Sequence, residues 1–181
     1  PAAHEDMGGY AHLRDDSFHE GVRNRYLNAV GWVDTQAGRL LEAVAADVDA
    51  GRLLVVLTGD HGEELWEEGM FGHARPRVDD LRTRVPLVLC MPGAAAIDVP
   101  LSSNVDVMPT LLDAVGLDTA PAERFSDGVS LRRPPPPDRF LAMSASGFPV
   151  TNPEVCLVRA DGHLCLAQDG RGFEHFSVAR V

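Results

Sequence analysis

An α/β fold with a small antiparallel β appendage at its C-terminal end is predicted from three observations. Helical periodicity runs from about Arg23 to Ala50 and passes at once into the all-apolar run Leu53–Leu57. A second apolar run, Val85–Met91, is closed by Pro92–Gly93. Beyond the four consecutive prolines at 134–137, short strand-like segments replace helices. A helix followed directly by an apolar, β-branched run reads as a strand buried on both faces, in a mostly parallel sheet flanked by helices.

Residues 1–20 are polar and without period, which predicts a loop. In the first helix Tyr26, Val30, Val33, Ala37, Leu40, Leu41 and Val44 recur at helical spacing, and Gly51 supplies its stop. Residues 62–80 are acidic and punctuated by glycine. A second amphipathic helix is predicted over Val105–Val115, stopped by Gly116, with Pro109 and Thr110 in its first turns. The prolines form a stiff connector that continues neither helix nor sheet. After it, Phe140–Ser144, Val155–Ala160 and His163–Gln168 read as strands, the last two joined at Asp161–Gly162, a strong hairpin signal. The boundary falls between 1–133, the α/β part, and 134–181, the appendage.

The chain has 181 residues, 45% of them hydrophobic, enough for one core. Its formal charge is −11, and all 16 basic residues are arginine. That balance argues against nucleic acid or an anionic membrane surface as a partner, since both require a basic face. No run approaches the roughly 18 apolar residues of a membrane span, and no signal peptide opens the chain. The start at Pro1, without Met, gives the expectation that an N-terminal part is missing, and any targeting signal with it. Cys90 sits in an apolar run as a small hydrophobe, whereas Cys156 and Cys165 flank the predicted hairpin. A disulfide between them is left open by the sequence, and the redox compartment with it.

The segment with chemical content is Leu53–His73. In open α/β sheets functional groups collect where strands end at their carboxyl edge, and Asp60 and His61 follow directly on such a strand. Gly59 and Gly62 let the backbone turn there and approach a ligand closely. An adjacent Asp and His can face one ion, one through carboxylate oxygen and the other through neutral imidazole. His73 lies beyond a Gly-Met-Phe-Gly turn that can fold it back to the same edge. Alone, Asp60–His61–Gly62 would equally suit an ordinary turn after a strand. The order of the surrounding motifs decides between the two.

Those motifs are TGDHGEELWEEGMFGH (58–73), YLNAVGWVDTQAGRLL (26–41), RVPLVLCMPG (84–93), SNVDVMPTLLDAVGL (103–117) and DGVSL (127–131). In order and spacing the set resembles the sulfatase-like branch of the alkaline phosphatase superfamily, over roughly residues 26–131. The resemblance implies part of an alkaline-phosphatase-like α/β sandwich. It implies Asp60 and His61 as two ligands of one divalent metal ion (Ca, Mn or Zn), and His73 as a catalytic group contacting sulfuryl or phosphoryl oxygens. Relatives carry the nucleophile (Thr, Ser, or Cys converted to formylglycine) and the remaining ligands well N-terminal of this region, and no comparable segment occurs here. The implied partners are an anionic sulfate or phosphate ester and the missing N-terminal part of the catalytic domain; the resemblance also admits a membrane anchor outside this chain.

The expected activity is metal-dependent hydrolysis of sulfate esters, in a chain lacking the nucleophile segment and inactive alone. Phosphoester or phosphonate hydrolysis, and phosphoethanolamine or glycerolphosphate transfer by a membrane-anchored enzyme, carry the same Asp-His pattern. A binding or sensing module that keeps the fold without catalysis is the alternative from another class. An extracytoplasmic or periplasmic location follows from the resemblance alone. A metal ion also answers the question of how an acidic chain handles an anion.

Other polar residues have plainer readings. Asp34 is expected as a structural or salt-bridging residue within a helix, and Asp106 as a helix N-terminal charge. Glu63, Glu64, Glu67 and Glu68 are expected on a solvated acidic face, with Glu63 near enough to support the site. His4, His12 and His19 are expected as exposed loop histidines, and Arg75, Arg82 and Arg84 as surface charge.

Overall fold

The computed structural model describes residues 16–73, 77–91, 99–119, 126–145, 154–169 and 172–180. Helix α1 spans Asp16–Asp49, beginning earlier than the periodicity predicts, so the loop expected for 1–20 is helical from Asp16 onward. His4 and His12 lie outside the described residues. The early start has two causes. Asp16 stands in the first turn, where the helix dipole favours negative charge. Phe18 and His19 pack on Trp66, with ring centroids 6.1 and 4.0 Å away, a tertiary contact that a polar composition does not announce. Gly51, at φ +71°, ends the helix as predicted, its N–H donating to the Val48 carbonyl at 3.0 Å.

Strand β1 (Val55–Thr58) pairs with β4 (Leu87–Cys90), and between them lie a hairpin, β2 (Glu64–Leu65) and β3 (Phe71–Gly72), and the short helix α2 (Asp80–Thr83). Both apolar runs are strands, but they pair antiparallel, Val55 opposite Cys90 and Thr58 opposite Leu87. The expected mostly parallel sheet is therefore not found among the described residues, where every strand pair is antiparallel. An apolar run signals a strand; its neighbour's direction is set by the route of the connecting chain, which here returns along the same edge. Nor is the pair buried on both faces, since Leu57 and Val88 are 38% and 48% exposed. Helix α1 approaches it through Asp34, Ala37, Gly38 and Leu41, which with Val55, Leu57, Val88 and Cys90 line a cavity of about 280 Å³.

A 3₁₀ turn (Asn104–Asp106) leads into α3 (Val107–Ala114), within one residue of the predicted helix, and Gly116 at φ +73° follows it. Asp106 is fully buried. Its carboxylate accepts from Arg139 at 2.5 Å and from the Ser103 and Val129 N–H groups at 2.8 Å each. The expected helix-terminal charge is thus the hub that ties the DGVSL segment and the post-proline turn to this helix. Thr110, also buried, accepts from the Leu131 N–H at 2.9 Å.

The appendage is one antiparallel sheet in the order β5 (Leu141–Ala145), β6 (Glu154–Arg159), β7 (Gly162–Asp169), β8 (Gly172–Arg180). Three strands match the prediction within two residues, and the hairpin turns at Asp161–Gly162 as expected. The fourth, β8, was not predicted. Cys156 and Cys165 are directly opposed on β6 and β7 and form a disulfide. The buried pair packs against Val78, with Met143, Ala145 and Val158 around it, so the sheet docks on the segment leading into α2. The disulfide closes a short loop of sequence separation 9, for which chain entropy gives about 2–3 kcal/mol. Reduction should lower the free energy of unfolding by that amount in urea titrations. Alkylation should find Cys90 before reduction, and all three cysteines only after it.

Candidate metal centre

The end of β1 is held in place from outside the strand. Asn104 donates from Nδ2 to the Gly59 carbonyl at 2.9 Å and accepts from Thr58 Oγ1 at 3.0 Å, so the SNVDV motif fixes where the strand stops. Asp60 and His61 occupy the turn that follows. Asp60 Oδ1 accepts from the His61 N–H at 2.9 Å, which leaves Oδ2 3.7 Å from His61 Nε2. Donors each about 2.0–2.2 Å from one ion can stand that far apart. His61 Nδ1 lies 2.9 Å from the Gly62 carbonyl, which selects the tautomer protonated at Nδ1 and leaves the Nε2 lone pair free.

His73 reaches the same place across the hairpin. Glu64 is opposite Gly72 and Leu65 opposite Phe71, and continuing that register by one residue sets Glu63 opposite His73. The Glu63 carboxylate accordingly meets His73 Nδ1, at 3.2 Å from Oε2 and 3.3 Å from Oε1. The His61 and His73 rings lie 4.0 Å apart. One donor atom from each of His61, Glu63 and His73 falls within 4.8 Å of the others; Asp60, its side chain 90% exposed, lies outside that group and approaches it through His61, at 3.7 Å. The side chains of His61 and His73 are 42% and 54% exposed, so a solute can reach them.

The electrostatics favour positive charge here. The Gly62 carbonyl, joined by the Asp60 and Glu63 carboxylates, raises the His61 pKa above the ordinary imidazole value, against the opposing effect of burial. Hydrogen bonds from the His61 N–H and from its own N–H, with the nearby imidazoles, lower that of Asp60. Surroundings that attract a proton to an imidazole also attract a cation. His61, Glu63 and His73 thus offer nitrogen and oxygen donors of the kind a divalent metal ion takes, with the Asp60 carboxylate beside His61.

The remaining candidates are elsewhere. His19, expected as an exposed loop histidine, is instead half-buried in α1 and stacks on Trp66. Arg75 lies outside the described residues, Arg84 is exposed, and Asp34 is exposed at the cavity beside β1. Glu64 and Arg82 also depart from expectation. Glu64 is fully buried rather than solvated, and Arg82, 6% exposed rather than at the surface, is paired with it and with Asp79. Glutamates in an acidic stretch read as solvated unless their partner is known, and Arg82 is 18 residues away. Burial raises the Glu64 pKa, but hydrogen bonds from the Met70 N–H and from Arg82 outweigh it, so the net shift is downward.

A carboxylate and two imidazoles gathered where a strand leaves the sheet are donors that could hold a divalent metal ion on an α/β scaffold. The chain belongs to the sulfatase family, whose family model matches residues 3–117. It is 30% identical over 110 residues to a choline-sulfatase of Rhizobium meliloti, an alignment covering 60% of this chain and 21% of that protein. It is 30% identical over 154 residues to the inner membrane protein YejM of Salmonella typhimurium, covering 82% of this chain and 25% of the relative. Among solved structures, the phosphonate monoester hydrolase from Silicibacter pomeroyi superimposes with a TM-score of 0.66 at 26% identity, over 91% of this chain and 38% of that one. The alkaline-phosphatase-like α/β fold class therefore holds, with the direction of the β1–β4 pair as the local correction. The chain spans about a fifth to a quarter of the length of these curated relatives.

Proposed function

We propose that this chain carries part of the metal-binding site of a sulfate ester hydrolase. The observation that supports this most directly is Asp60 Oδ2 standing 3.7 Å from His61 Nε2, with the His73 ring 4.0 Å from that of His61. Asp60 and His61 would hold one divalent ion. A histidine in the pair favours Zn²⁺ or Mn²⁺ over Ca²⁺, which prefers oxygen donors throughout. When bound, the ion supplies Lewis-acid stabilisation of negative charge at sulfur or phosphorus and lowers the pKa of an oxygen nucleophile.

The chain's own residues have separate tasks. The Gly62 carbonyl keeps His61 Nε2 available as a ligand. Glu63 holds His73 at Nδ1, which orients the ring. With a proton on Nε2, His73 would donate to an ester oxygen and pass that proton to the leaving group as the bond to sulfur or phosphorus breaks. The nucleophile and the other ligands are proposed to come from a part of the protein outside this chain. The likeness to a phosphonate monoester hydrolase favours a second reading, hydrolysis of phosphorus esters, on the same residues. An extracytoplasmic location is proposed as well, supported by the Cys156–Cys165 disulfide, since such bonds persist in oxidising compartments.

Turnover of matched aryl sulfate and aryl phosphate esters by the metal-loaded full-length protein tests this. The expected result is a kcat/KM for the sulfate at least about tenfold above that for the phosphate, a difference of about 1.4 kcal/mol in transition-state binding. The reverse ratio supports the phosphorus-ester reading. Turnover of neither ester by protein that has taken up metal overturns the hydrolase reading and leaves a binding module.

A further inference from the structure

Residues 61–64 project alternately to two sides. His61 and Glu63 face the candidate metal centre, whereas Gly62 and Glu64 face α2, and both of the latter are held by Arg82. The Gly62 N–H donates to the Arg82 carbonyl at 2.7 Å. Contact there is so close that a Cβ on Gly62 would lie 2.1 Å from the Leu81 carbonyl oxygen, which any side chain would violate. Two residues on, the Arg82 guanidinium donates to Glu64, which also accepts from the Met70 and Glu68 N–H groups at 2.9 and 3.1 Å. Arg82 is itself anchored by Asp79, the N-cap of α2. One arginine therefore grips the loop from behind, at both residues that flank Glu63.

Stability is a poor explanation for this arrangement. A buried ion pair loses so much solvation that well-packed apolar residues of similar size are often as stabilising or more so. What an arginine fork supplies beyond an apolar contact is fixed direction, because its planar donors set the orientation of the carboxylate they meet. Here that orientation is passed along the chain. With Glu64 locked, β2 is locked in register with β3, and that register sets Glu63 against His73. On the opposite side, Arg23 of α1 donates from Nε to the Leu65 carbonyl at 2.9 Å, so the hairpin is held from both helices.

We propose that Arg82 is a positioning residue for the candidate metal centre: by holding Gly62 through its carbonyl and Glu64 through its guanidinium, it fixes the side on which His61 and Glu63 project. The inference rests on the metal-site reading above. Its test uses the full-length protein, with Zn²⁺ affinity measured by chelator competition and the visible spectrum of bound Co²⁺ as a report of ligand geometry. Wild type should bind both ions and His61→Ala neither; if wild type binds no metal, the site reading itself fails and takes this inference with it.

The discriminating variant is the double substitution Glu64→Met, Arg82→Met, which removes both charges and keeps the volume. It should melt within about 5 °C of wild type, bind Zn²⁺ about 10–100-fold more weakly, and show an altered Co²⁺ spectrum. Arg82→Lys, which keeps the charge and loses the fork, should weaken Zn²⁺ binding by about tenfold, at the lower end of that range. A folded double variant with wild-type Zn²⁺ affinity and an unchanged spectrum overturns the proposal. If the double variant does not fold, Arg82→Lys decides in its place, and unchanged affinity and spectrum there overturn it equally.

Discussion

Replacing His61 with alanine should abolish divalent-metal uptake by the full-length protein and its esterase activity together. His61 Nε2 is the nitrogen left free when Nδ1 bonds the Gly62 carbonyl, and Asp60 Oδ2 is its neighbour at 3.7 Å. Losing a hydrogen bond behind a metal ligand typically costs about 10–100-fold in affinity, so losing the ligand itself should cost more than that. Elemental analysis of purified protein reads the first effect, and ester turnover the second. His73→Ala is the informative contrast. On the proposed roles it leaves metal content near wild type, while turnover falls about 10²–10⁴-fold, the usual contribution of a positioned general acid. Unchanged metal content in His61→Ala would remove the Asp60–His61 pair as ligands. Loss of metal in His73→Ala would instead make His73 a ligand, an arrangement its 4.0 Å ring separation from His61 also permits.

Asp106→Ala should destabilise the fold by about 3–5 kcal/mol, the cost of stripping one partner from a buried ion pair. Asp106 is fully buried, and the Arg139 side chain, 7% exposed, would be left with its charge uncompensated. Two backbone donors, the N–H groups of Ser103 and Val129, would lose their acceptor in the same change. The lowered urea midpoint reads this directly, with the slope of the transition unchanged if only stability is affected. The effect should also reach the metal centre, because the residue preceding Val105 and Asp106 is Asn104, which pins Thr58 and Gly59 at the end of β1. Metal affinity in the surviving folded fraction should therefore fall along with stability. Asp106→Asn, which keeps an oxygen acceptor, should be milder on both counts. An Asp106→Ala protein as stable as wild type would mean that the hub is dispensable.

These two residues differ in how readable they were. Asp60–His61 is legible as a candidate site because it combines a strand end, flanking glycines and an ordered set of motifs, all of them local or sequential signals. Asp106 was legible only as a charge at a helix start. Its true partners, Val129 and Arg139, lie 23 and 33 residues further on, and no period or turn signal in the sequence points to them. Glu64 was misread for the same reason: four glutamates in a short stretch predict solvent, and only the distant Arg82 makes burial affordable for one of them. Trp66 was silent in the sequence altogether, yet it adopts φ +70° and lies stacked between His19 and Phe71.

What the sequence determined by itself was local conformation and its punctuation: helix α1 and its glycine stop, the apolar strands, the Asp161–Gly162 hairpin, and the placement of Asp60 and His61 just past β1. Side-chain period and turn chemistry act within a few residues, so they can be read from neighbours. Only the tertiary structure decided the antiparallel run of β1 against β4, the closure of Cys156 on Cys165, the pairing of Glu63 with His73, and the double hold of Arg82 on the loop. Each of these depends on which distant segments come to lie side by side, and loop closure over such distances costs so little extra per residue that spacing alone does not select the partner.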